Sequence, residues 1–405
     1  MAKPNYKGIV RLYESAHKQW NDPREAVRRA NVELQEAIRA KDIDIKSFDF
    51  GGLFSDMFGH GEFHHCRDRG RGAWEVMEAA GPIMTTAFQG ISSQAIWGLI
   101  MDAYQQPEFV FSKLIPTRQT NEDFQKVPGI SDIGDEVAIV KEGDPYPVVG
   151  VSQKYRHAPV LRKRGFRVQL TREALFFDRT GQLQEKASGG GKSMGQNREK
   201  RAVDVVIDEN AGAASAIVGG HRYHYVGNSI ASYGNNSGNH DWDNLSASTG
   251  LVDWTDIEAC EILLDALTDP QTAEPIVFEA KHLVCSRQLR RTAERIAGAD
   301  YITVVTPGYA TSGNPTETQV GNPYKGAFAV ISSPYVASRL ATDTDWFFGD
   351  LTTAFEYCQA WPEEVKTLAG GTQIEFDQDI VQQYRFSEMG NYSTKEPRAM
   401  VKATA

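Results

Sequence analysis

The stretch from Phe124 to Leu183 constrains the fold more than any other part of the chain, because it describes a ribbon that cannot be stable alone. Its outgoing segment carries Val137 and Ile139 in alternation and stops at Glu142-Gly143-Asp144-Pro145. Glycine and proline supply the turn chemistry there, and Pro147 bars a central strand. The returning segment carries Tyr155, Val160, Phe166, Val168 and Leu170, interspersed with Lys154, Arg156, Arg162, Lys163, Arg164 and Arg167. That is too much charge for a core, and an isolated two-stranded hairpin is marginal in water. The ribbon must therefore lie on another surface. Lys141, Glu142, Asp144 and Tyr146 near its tip, together with the six basic residues, are its candidate contacts.

The rest of the chain divides by its punctuation. Asp22-Pro23-Arg24-Glu25 gives an N-cap, a proline at the first helical position and a glutamate at N3, and Val27, Ala30, Leu34 and Ile38 follow at helical spacing. Glycines dominate 45–75, which reads as an irregular arm, and a second helical element is expected within 80–105. From Glu185 to Asn210 the pattern is helical at its end, with Val203, Val206 and Ile207 on one face. Gly189-Gly190-Gly191 weakens the front half by about 1 kcal/mol per glycine, so a bend or interruption is expected there. Residues 219–250, rich in Gly, Asn, Ser and His but carrying Tyr223, Tyr225 and Tyr233, read as strands and loops.

Several groupings imitate active sites. Gly191-Lys192-Ser193 ends like a phosphate-binding loop, but the glycine required five positions earlier is Lys186, and no apolar strand leads in. His60, His64, His65 and Cys66 are the densest set of potential metal ligands; Gly59 and Gly61 argue against the helix that would align them, and a polar turn is the expected role. His221 and His224 fall on opposite faces of a strand. Asp377 and Asp379 share a strand face, where solvated charge is the ordinary role. The basic run around Phe166 has the composition of a nucleic-acid contact, but in an arm lying on a neighbour it pairs more naturally with acidic residues. No GxSxG elbow is present. Neither a catalytic residue nor a metal or cofactor site is expected.

Composition agrees with a structural role. A net charge of −10 argues against a surface wholly devoted to nucleic acid. Cys66, Cys260, Cys285 and Cys358 are far apart and without CxxC spacing, as in a reduced cytosolic protein. The opening MAKPNYKGIVRLYES lacks a signal-like apolar run, and nowhere do 18 apolar residues follow one another, so a soluble protein made in cytoplasm is expected.

A long hairpin leading through Thr171-Arg172-Glu173 into a long helix resembles the extended loop and spine helix of tailed-phage major capsid proteins with the HK97 fold. The run at 251–296 is similar to that family's helix, strand and helix, with Glu274-Pro275 preceding the apolar strand and Ala280 to Val284 leading into the second helix. NPYKGAFAVISSPY at 322–335, DWFFGDLTTAFEYCQAW at 345–361 and the segment at 376–402 are similar to its closing strands. The resemblance covers 105–405 and implies an α+β fold. It divides the chain into an N-terminal arm and helices (1–105), a leading strand and extended loop (106–180), a peripheral domain with the spine helix (181–250), an axial domain (251–345) and a return to the peripheral domain (346–405). It implies a major capsid protein that assembles into an icosahedral head around a double-stranded DNA genome, in the virion, after assembly in the host cytoplasm. Its implied partners are further copies in hexamers and pentamers, scaffolding, portal and decoration proteins, and DNA bound without sequence specificity; no membrane is involved. Some members crosslink a loop lysine to an asparagine of a neighbour, which would cast Lys141 and Asn391; noncovalent lattices are commoner. The alternatives are an encapsulin shell, which shares the fold, and a metal-dependent enzyme built on His60 to Cys66. The coreless ribbon separates shell from enzyme.

Overall fold

The computed structural model describes Val32 and residues 95–128, 154–171, 180–208, 223–237, 240–247, 249–268, 275–306, 316–340, 342–369 and 380–404. In chain order these begin with α1 (95–104), α2 (Phe111–Leu114), β1 (Thr117–Gln119), β2 (Lys126–Pro128), β3 (Tyr155–His157), β4 (Lys163–Thr171) and α3 (Thr180–Ile207). Next come β5 (His224–Tyr225), β6 (Asn228–Ser229), β7 (Leu245–Ser246), α4 (Trp254–Asp265), β8 (His282–Cys285), α5 (Arg290–Gly298), β9 (Tyr301–Thr306) and β10 (Thr316–Gly321). The chain continues through β11 (Ala329–Ser332), α6 (Pro334–Ala337), β12 (Trp346–Gly349), α7 (Leu351–Ala354), β13 (Phe355–Ala369), β14 (Ile380–Thr394) and β15 (Met400–Ala403). The mixture is α+β. Two compact units share it: Met1–Pro107, Lys163–Asn197 and Pro362–Met389 form the first, and Glu108–Arg162, Arg198–Trp361 and Gly390–Ala405 the second.

In the first unit, α1 buries Ile96, Leu99, Ile100 and Ala103, the three- and four-residue spacing of a helix with one apolar face. The helix expected within 80–105 is present over its described part. The front of α3 is also helical, without the interruption expected at the glycine triplet. Two of those glycines are contact points. A Cβ on Gly190 would lie 2.5 Å from the Phe166 ring, and one on Gly191 would lie 2.4 Å from the Ile100 carbonyl oxygen, whereas Gly189 faces open space. Phe166 on β4 stacks on Phe386 of β14 (5.5 Å between centroids), and the two strands run antiparallel in one register from Leu170 opposite Gln382 to Lys163 opposite Met389, with a shift between Gln382 and Ile380, which faces Thr171.

The second unit is built on a five-stranded sheet in the order β11-β8-β12-β15-β7. Its central strands are buried on both faces, as HLVC, WFFG and MVKA dictate. One face holds Val284, Phe347 and Met400 against α2, α7 and the end of α3. The other holds Leu283, Cys285, Trp346, Phe348 and Val401 against α4 and α5. Here one expectation is corrected: the strand after Glu274-Pro275 is not the apolar IVF that follows at once but His282–Cys285. Only the latter finds partners on both sides, β11 and β12, while Val277 is 89% exposed. A buried carboxylate closes the opposite layer, where Glu199 accepts backbone N–H bonds from Val110 (2.9 Å), Phe111 (3.0 Å) and Ser112 (2.9 Å) and so serves the open N-terminus of α2.

Candidate functional site

The foot of the expected loop is a small sheet in the order β2-β3-β5-β6, in the second unit. β2 and β3 are antiparallel, with Lys126 opposite His157, Val127 opposite Arg156 and Pro128 opposite Tyr155. The chain thus leaves at Pro128 and returns at Tyr155 side by side, as a hairpin must. The returning segment does not remain one strand: β3 belongs to this foot, while β4 pairs with β14. Asp123 sets the break, its carboxylate accepting the Leu161 N–H at 2.9 Å.

Rings and cations hold the foot together. Phe124 stacks on His157 (4.8 Å, 17°) with His224 edge-on (5.4 Å), and Lys126 Nζ lies 4.4 Å from the Tyr155 ring centre. Tyr223, Tyr225 and Trp242 form a second ring cluster beside it. Asp241 accepts from the Tyr225 hydroxyl (3.0 Å) and pairs with Lys154. The Lys154 hydrogen bond, with Tyr225 assisting, holds the Asp241 carboxyl below the usual carboxylate range. Val226 and Gly227 close the β5–β6 turn with φ of 48° and 84°, the backbone of a type I′ hairpin. A β-branched residue at the first of those positions is strained.

Beneath the foot lies Glu356, 3% exposed, between two arginines. Arg156 Nη2 donates to Oε1 (3.0 Å), Arg118 Nε donates to Oε2 (3.0 Å), and the Ser393 hydroxyl lies 3.5 Å from Oε1. Burial alone would raise this carboxyl; Arg156 and then Arg118 outweigh it, and the group sits below its ordinary value. Burial, aided by the Glu356 charge, pushes the neighbouring Cys358 thiol up to about 11, so it is an inert thiol.

Of the candidate contacts, Lys141, Glu142, Asp144 and Tyr146 lie outside the described residues, as do the whole His60–Cys66 cluster, His221, Asp377 and Asp379. Lys154 and Arg156 are engaged within the chain by Asp241 and Glu356. Arg162 is exposed, and its carbonyl accepts the Gly390 N–H (3.3 Å). Lys163 and Arg167 project from one face of β4, where Arg167 faces Arg385 across the strand pair and donates to Gln383 (3.4 Å); Arg164 points to the other face, half-buried. Asn391 is 2% exposed and donates to the Val160 carbonyl (3.1 Å), so its amide is already in use. Gly191-Lys192-Ser193 is mid-helix, with Gly191 closed against α1, and offers no phosphate cradle. Glu356, Arg118 and Asp241 are the residues that sequence reasoning missed. The one signal for Glu356 was a carboxylate between Phe355 and Tyr357 at the aromatic start of β13. Among the described residues no group of His, Cys, Asp and Glu could hold a metal ion, and no helix is long and apolar enough to cross a membrane.

The strand pair β2 and β3 thus flanks residues 129–153 and rests on a buried ion cluster. Residues 157–403 match the family model described as phage capsid protein. The chain belongs to that family and is a phage capsid protein. No curated protein matches the chain. Similar solved structures include the virus-like particle from Pyrococcus furiosus (11% identity, covering 76% of this chain and 98% of that one, TM-score 0.39). Others are Gordonia phage Cozz (12%, 73% and 86%, TM-score 0.40) and the capsid of a native GTA particle (10%, 74% and 90%, TM-score 0.40). TM-scores of this size carry no argument, and the assignment rests on the family match.

Proposed function

We propose that the chain is the major head subunit of an HK97-type lattice. In this reading residues 106–180 are the leading strand and extended loop, 181–250 and 346–405 make a peripheral domain around α3, and 251–345 an axial domain. The observation that carries it is the paired β2 and β3 on their buried Glu356 anchor, a rigid foot for a ribbon whose own sequence cannot hold a core. The tip residues Lys141, Glu142, Asp144 and Tyr146, with Arg162, Lys163, Arg164 and Arg167, contact a neighbouring copy. Lys154 and Arg156 serve that contact indirectly, by fixing the foot. Copies gather in hexamers and pentamers around double-stranded DNA, with scaffolding, portal and decoration proteins as further partners, in the host cytoplasm and then in the virion. The role is structural, without a catalytic step. Electron microscopy of the purified, overexpressed chain tests this: shells, tubes or capsomer rings are expected. A chain that stays monomeric at every concentration and turns over a substrate overturns it.

A further inference from the structure

α4 and α5 cover one face of the five-stranded sheet, α4 over β15 and β7 and α5 over β11 and β8. Ile257, Cys260 and Leu264 of the first and Ala293 and Ile296 of the second enter the same apolar cluster. What the two helices turn outward has opposite sign. From Tyr223 to Ala280 the sequence contains neither lysine nor arginine, and its only charged side chains, histidine aside, are carboxylates. On α4 these leave Glu258 and Asp265 exposed around Ile262, which is itself 62% exposed. On α5 and the turn before it, Arg287, Arg291 and Arg295 are exposed at four-residue steps, while Arg290 is tied to Glu294 (2.7 Å). Among the described residues none of Glu258, Asp265, Arg287, Arg291 and Arg295 makes an ion pair.

We propose that the acidic face of α4 docks on the arginine face of α5 in a second copy of this chain. Two neighbouring helices of unlike sign, whose exposed charges make no ion pair among the described residues, form a surface complementary to another of its kind. α4 against α4, or α5 against α5, brings like charges together, which costs several kcal/mol; the pattern therefore selects which helix meets which. Ile262 supplies apolar area at the middle of the contact, and the arginine stems can cover it. A nucleic acid is a poor occupant, because the phosphate backbone that the arginines attract is repelled by the carboxylates beside them. The inference rests on the shell-subunit function proposed above and names the pair of faces that would join copies.

The test is charge exchange in the full chain, with assembly followed by light scattering, sedimentation and electron microscopy at about 50 mM salt, where surface charge is weakly screened. Arg291→Glu with Arg295→Glu, and separately Glu258→Arg with Asp265→Arg, are expected to raise the protein concentration needed for assembly by about tenfold or more. Circular dichroism should remain native, since all four sites are exposed. Combining all four substitutions is expected to restore assembly. Wild-type particles accompanied by unaffected double variants overturn this interface and leave the shell function standing. So do particles lost in the double variants and not regained in the four-site variant, when all are folded. A wild-type chain that never assembles removes the shell function itself.

Discussion

Glu356 holds the foot of the loop through charge, and its neighbours make it hard to replace. Its carboxylate is buried and shared by Arg118 and Arg156; removing it leaves two guanidinium groups without their common partner. Breaking a buried pair from one side costs about 3–5 kcal/mol. Glu356→Ala is expected to lower the denaturation midpoint sharply, and Glu356→Gln, which keeps the shape, less so. Asp350 provides a pH-dependent counterpart. Burial favours its neutral form, but the Thr352 hydroxyl, Lys281, the Thr352 N–H and Thr353 together hold it at about 2, against an ordinary 3.8. A depressed carboxyl contributes its full stability above the unfolded value and loses it as pH falls through the folded one. Chemical denaturation of wild type and Asp350→Asn should therefore differ most above about pH 4 and converge towards about pH 2. Neither residue could be assigned from sequence: each lies one or two positions from apolar neighbours, and its charged partners come from more than sixty positions away.

At the scale of elements, the glycine triplet of α3 shows what local propensity leaves out. Propensity counts every helical glycine as a loss, yet two of these three are where other elements come close. Gly189→Ala, with nothing within 4 Å of the new methyl, is expected to raise stability by up to about 1 kcal/mol. Gly191→Ala meets the backbone oxygen of Ile100 at 2.4 Å and is expected to lower it by about 1–3 kcal/mol despite the better helix former. Thermal denaturation of the two variants side by side checks the sign. α1, α4, β12 and β15 were legible because their apolar runs and caps are local; the Asp253–Asp256 capping box of α4 is readable as letters. The strand at His282–Cys285 was placed too early. IVF is the more apolar of the two runs, since HLVC opens on His282, and only the presence of β11 and β12 on either side decides for the latter. The division of the returning ribbon between two sheets was hidden for the same reason: β14, which captures β4, lies more than two hundred residues away.

For the whole molecule, the ribbon and the body that carries it should be separable. Replacing Glu142 to Val151 by a short glycine-containing turn is expected to leave circular dichroism and the denaturation midpoint near wild type, because the foot keeps its own rings and ion pairs. Assembly is expected to stop at monomers or small oligomers, read by sedimentation and microscopy. Unfolding of that variant, with a monomeric wild type, would make the ribbon part of one subunit's core and refute the lattice function. The class of protein was legible from the coreless ribbon and the order of elements behind it; the ion cluster beneath the foot was not, since it joins Arg118, Arg156, Glu356 and Ser393.

The order of the five-stranded sheet also bears on when a subunit becomes competent. β15 lies inside that sheet, between β12 and β7, with Met400 and Val401 on its two apolar faces. While a ribosome is still short of residue 403, β12 has an open edge, β7 has nothing to pair with, and both apolar layers are incomplete. Sheet closure of such long sequence separation is slow and leaves sticky intermediates. The helices proposed to join one copy to the next take their seats on this same sheet, so a nascent chain would hold no finished contact surface. Translation itself would then set the earliest moment of polymerisation, and neighbouring unfinished chains on one messenger would be kept from joining prematurely.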